Sequence, residues 1–229
     1  MQTWKSRALE TVARYRRDVR FRMTCTLTGS FAMNVLYAAM QLFLGLHADT
    51  NWFYCLSAYY ALLALLRWML LSNVRKGHIG GDLLYEYKRY RFCGWVLLVI
   101  NQALVSIVVL IVRWNRGYSY HEITTIALAT YTFYSLTMAI INIVRFRKFN
   151  SPILSAGKVL SLTCACVSML SLETAMISAF GEGDNALFRT VMTSLTGGAV
   201  CLLVLAMAMY MIVHATKEMK KIKQEEQYE

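Results

Sequence analysis

Of the 13 acidic residues in this chain, Glu173 alone lies well inside an apolar run, the stretch KVLSLTCACVSMLSLETAMISAF at residues 158–180. An ionisable group at membrane depth costs roughly several kcal/mol unless a partner or water meets it, so it is a functional-site hypothesis by default. Its chemistry would be coordination of a small cation or amine, or carriage of a proton coupled to a solute. The alternative for the same residue is a hydrogen-bonded glutamic acid that joins helices.

Partners follow from depth. Glu173, Tyr59, Tyr60, Tyr131 and Ser194 all lie seven or eight residues below the outer ends of their apolar runs, about 10 Å at 1.5 Å per residue. Gln41 and Ser106 lie five and six residues deep in theirs. Together they predict a polar cup open to the outside, with Glu173, Tyr59, Tyr60, Tyr131, Gln41 and Ser194 as its binding residues. The tyrosines can equally form an interfacial aromatic belt. Gly197-Gly198 is a candidate hinge. Lys158 is 15 residues from Glu173 on the same run, about 22 Å away, and cannot reach it. Arg67, near the inner end of its run, is expected to snorkel to lipid headgroups.

The elements that must position these groups are membrane helices. The 229 residues are 57% hydrophobic with a single proline, mean hydropathy is +0.42, and the apolar residues fall in runs of transmembrane length. A β-barrel would alternate in short segments instead. Six runs, at 24–46, 52–71, 92–112, 123–144, 159–180 and 187–213, predict an all-α integral membrane protein, a six-helix bundle that three helical hairpins could build. The fifth run starts earlier if Ser151 is an N-cap followed by Pro152 at the first helical position. A weak repeat, Ser57-Ala-Tyr59 and Ala129-Thr-Tyr131 at equal distances before basic pairs, would make hairpins one and two parallel copies.

Net charge is +11, but the basic residues flank apolar runs, which excludes a nucleic-acid groove. Seven precede run one, five lie between two and three, four between four and five, and four after six. Only Arg113, Arg116 and Arg189 fall on the other side. That bias predicts both termini in the cytoplasm of a plasma-membrane protein. Residues 1–22 read as a basic amphipathic helix on an anionic membrane face, with Trp4, Ala8, Val12, Tyr15 and Val19 at helical spacing. Residues 23–214 form the transmembrane domain and residues 215–229 a charged cytoplasmic tail.

On the fifth run Ser161, Cys164, Ser168, Ser171, Ala175 and Ser178 form a small-residue stripe; Thr190, Ser194, Gly197, Cys201 and Ala208 form another on the sixth. Such stripes let backbones approach closely, and the two are expected to meet. The neighbouring Cys164 and Cys166 point about 200° apart and cannot clamp one metal. No metalloprotease, hydrolase or P-loop motif is present, so no catalytic residue, metal or cofactor is assigned. The leading expectation is a small-solute or ion transporter or channel. The alternative is a non-catalytic subunit or scaffold that engages a partner protein or anionic lipid through its basic face. Homo-oligomerisation fits either.

Overall fold

The computed structural model describes residues 19–48, 51–75, 83–114, 122–145, 151–180 and 186–228. They form six α-helices: α1 (Val19–Ala48), α2 (Asn51–Arg75), α3 (Leu83–Trp114), α4 (Glu122–Arg145), α5 (Pro152–Phe180) and α6 (Ala186–Tyr228). Most of the expected N-terminal amphipathic helix, residues 1–18, lies outside the described residues. Five of the six described helices are long and apolar enough to cross a membrane. α3 begins at Leu83, so the run YEYKRYR is its basic first turns and not a loop. α6 continues through the expected tail to Tyr228.

The start of α5 follows the sequence reading. Pro152 opens the helix, where its missing N–H costs nothing, and the Ser155 N–H donates to Ser151 C=O at 3.1 Å. The Ser151 hydroxyl goes elsewhere, donating at 2.9 Å to the buried carboxylate of Glu86 on α3. The basic end of α3 is also tied to α2. Both Nε and Nη2 of Arg89 donate to the Tyr85 hydroxyl (3.1 and 2.8 Å), which in turn donates to Asn73 at 3.3 Å.

Helix packing departs from three successive hairpins. α1 packs along α2 and α4 along α5, but α3 pairs with α6. The parallel-copy expectation for the second hairpin therefore does not hold, because α3 and α4 belong to different pairs. Two of the small residues of α6, Gly197 and Ala208, pack on α3. A Cβ on Gly197 would lie 2.7 Å from Val108, and one on Gly94 would lie 2.9 Å from Ile212 and 3.3 Å from the Ala208 carbonyl. α6 runs unbroken through Gly197-Gly198, so in this structure Gly197 is a packing position. α5 is the hub, touching α2, α3, α4 and α6 through its backbone neighbours and α1 through Asn34.

Polarity is inverted relative to a water-soluble protein. Leu36, Val99, Phe133, Val144 and Leu202 are exposed, whereas Asn34, Gln41, Arg67, Asn101 and Asn142 are buried. An apolar exterior around polar groups is what lipid demands of a folded chain, since unsatisfied polar groups cannot face hydrocarbon.

Candidate functional site around a buried arginine

Each helix buries a seam at alternating three- and four-residue steps, the spacing that keeps one face inward. On α2 that seam is Phe53, Leu56, Tyr60, Leu63, Arg67, Leu70 and Val74, all buried. Arg67 therefore takes a core position in register with leucines, and it is only 5% exposed. It does not snorkel: the stem of a seam residue points at neighbouring helices, not along the helix to the headgroups.

The seams facing it are polar. α1 presents Ser30, Asn34, Tyr37 and Gln41, α4 presents Thr132, Ser135 and Asn142, and α5 presents Ser161, Cys164 and Ser168, all buried. The α5 stripe is thus spent on these contacts. Arg67 Nη2 donates to Ser161 Oγ at 3.4 Å and to Cys164 Sγ at 3.5 Å. Asn142 Nδ2 donates to the same Ser161 Oγ at 3.0 Å. Cys164 also exchanges long hydrogen bonds with the Asn34 amide, 3.4 Å and 3.5 Å. The Tyr131 hydroxyl donates to Asn34 Oδ1 at 3.3 Å, and the Tyr60 hydroxyl to the Cys164 carbonyl at 3.5 Å. Above this level the Tyr37 and Tyr131 rings stack at 3.7 Å, with Tyr60 edge-on to both.

The electrostatics are unbalanced. Among the described residues no carboxylate pairs with Arg67; its partners are a hydroxyl and a thiol, and Nε has none. A guanidinium stays charged even when buried, and an uncompensated buried charge is costly. Gln41, fully buried, leaves both amide atoms without a described partner, as do Tyr59 Oη and Asn142 Oδ1. Two small cavities of about 20 and 10 Å³ touch Arg67, Ser30 and Ser161; the first extends to Lys158, the second to Tyr131 and Ser135. The larger is the size of one water or a monatomic ion.

The expected cup is only partly brought together. Tyr60 and Tyr131 meet Tyr37 of α1 in the interior, Tyr59 is buried beside the cysteines of α5 and α6, and Gln41 is fully buried. Ser194 turns back on its own helix, donating to the Thr190 carbonyl at 2.6 Å, and the exposed Ser106 does the same to Gln102 at 3.0 Å. Back-bonding of this kind satisfies a hydroxyl locally and leaves it free of any shared site. Glu173 is half-buried between the exposed Met169 and Met176 and makes no hydrogen bond or ion pair with a described residue. That face of α5 is therefore not enclosed by the described residues.

The signal for Arg67 was present in the three-four seam of α2, read with the matching polar seam of α1. Which seams face one another is a matter of helix pairing, which spacing along one helix does not contain. Among the described residues no cluster of His, Cys, Asp or Glu could hold a metal ion. Compared with known proteins, the chain matches no family model, no curated protein and no solved structure.

Proposed function

We propose that this chain is a multi-pass membrane transporter or channel for a small anion, with Arg67 as its charge-selecting residue. The observation that carries the reading is a buried guanidinium with no carboxylate partner among the described residues, in a polar interior wrapped by apolar surface. An anion beside Arg67 would offset the cost of the buried charge, and Ser30, Asn34, Ser161 and Asn142 offer neutral polar groups around it. On α1 alone the polar seam runs from Ser30 to Gln41, about 16 Å along the helix, long enough for a solute to move between successive polar groups. The reading assigns the charged role to Arg67 in place of Glu173, because polar side chains of three neighbouring helices surround the former. Both termini are assigned to the cytoplasm on the strength of the basic-residue bias.

The test is thermal stability and liposome flux of the full chain with chloride, formate and the bulky anion gluconate. Chloride or formate should stabilise the protein, gluconate should not, and Arg67→Gln should weaken binding about 10–100-fold, the worth of one charged hydrogen bond or two. Glu173→Gln should leave anion binding unchanged. Flux that survives Arg67→Gln but is lost in Glu173→Gln would make the carboxylate the charged element and overturn the anion reading.

A further inference from the structure

A larger cavity lies at the basic end of the bundle between α3, α5 and α6, on the other side of Lys158 from the small cavity at Arg67. It measures about 470 Å³ and is lined by Tyr87, Tyr90, Ser155, Lys158, Tyr210, His214 and Glu218. It is a half-open cleft, and its volume is that of small-molecule sites. It exists because α3 starts before its apolar run and α6 continues beyond its own, so their polar ends stand clear of the apolar core.

Lys158 is the cation and Glu218 the carboxylate of its lining, with Lys221 and Glu86 close by. Glu218 is already neutralised by Lys221, at 2.8 Å the one ion pair among the described residues. Glu86, close by on α3, accepts a hydrogen bond from Ser151. Lys158 makes no hydrogen bond or ion pair with any described residue, which leaves its ammonium donors available to a ligand. His214 Nδ1 is buried without a partner, its ring 5.5–6.3 Å from those of Tyr210, Tyr87 and Tyr90. Burial raises the Tyr87 phenol and pushes Tyr90 up to about 12, so both remain O–H donors at neutral pH.

A lysine, hydroxyls and an imidazole from three helices offer more donors than the two oxygens of a carboxylate use, and a phosphoryl group supplies three or four acceptor oxygens. We propose that this cavity binds a phosphoryl group, with Lys158 as its counter-ion and His214 and the tyrosines as supporting contacts. Its place at the end of the apolar spans is the level of lipid phosphates, and a soluble phosphate shares the same chemistry. The proposal goes beyond the Arg67 reading and stands without it.

The experiment uses the purified full chain in detergent, with phosphatidylglycerol, phosphatidylcholine or inorganic phosphate added, read by thermal stability and by native mass spectrometry. At about a hundredfold excess over Kd, the wild type should gain roughly 5–10 °C. Lys158→Met should abolish the gain, Lys158→Arg should retain it, and Lys220→Met, a change away from the cavity, should leave it intact. Arg67→Gln should also leave it intact, which separates this site from the other. Stabilisation by both phospholipids and not by inorganic phosphate assigns a headgroup; stabilisation by inorganic phosphate assigns a soluble ligand. No gain from any of the three, or an equal gain in Lys158→Met, overturns the proposal.

Discussion

Arg67 is held by neighbours that cannot match its charge. Ser161 and Cys164 accept at 3.4 and 3.5 Å, and these neutral contacts recover little of the hydration that burial removes. Arg67→Met should therefore raise the melting temperature in the absence of anions, by about 1–3 kcal/mol of stability, while removing anion binding. A lowered melting temperature would mean that the guanidinium is structurally satisfied. Cys164 offers a second probe, because its sulfur lies within hydrogen-bond range of both Arg67 and Asn34. In a variant retaining Cys164 alone of the six cysteines, an anionic methanethiosulfonate should react faster than a cationic one, and chloride should slow it. The reverse preference would contradict a positive, wet column.

At the scale of elements, two contacts fix the frame around that column. Gly197 lets α6 approach Val108 of α3, while a Cβ on Gly198 would meet nothing within 4 Å. Gly197→Ala should destabilise by about 1–3 kcal/mol through overpacking, and Gly198→Ala should stabilise by up to about 1 kcal/mol through helix propensity. Chemical or thermal unfolding of the pair checks this, since a hinge would instead make both changes harmful to flux. The second contact is Ser151 to Glu86, joining the start of α5 to α3 at 2.9 Å. Ser151→Ala removes a donor from a buried carboxylate and should cost about 1.5–3 kcal/mol, measurable as a lower melting temperature.

For the whole molecule, the division of labour follows the three helix pairs. α1, α2, α4 and α5 enclose the polar column, and the α3–α6 pair, with leucines, valines and small residues at its seam, buttresses it through α5 and α2. The cytoplasmic assignment of the termini predicts that cysteines placed at Asp49 and Asp184 label from outside intact cells with an impermeant reagent. Labelling only after permeabilisation would invert the topology and put Lys158 and its cavity on the outer side. Glu173 lies on a face of α5 that the described helices leave open, between the exposed Met169 and Met176.

Much of this was legible along the chain. Apolar run length set the six helices, since crossing hydrocarbon needs about 20 apolar residues, and Ser151-Pro152 marked the start of α5 through backbone chemistry local to those residues. Depth put Tyr59, Tyr60, Tyr131 and Gln41 near one level but did not say which face of each helix they take, and all four are buried. The extensions of α3 and α6 were missed because hydropathy is blind to a helix that continues into polar sequence. Arg67 was misread for a related reason: distance from the nearest helix end suggested snorkelling, while its place in the α2 seam pointed inward. What only the tertiary structure decided is which seams meet. In lipid no hydrophobic force ranks one pairing above another, so the choice of α3 with α6, and of α5 against α1, α2 and α4, rests on side-chain fit. That choice turned a stripe of serines and a cysteine from helix-packing residues into the walls around a buried charge.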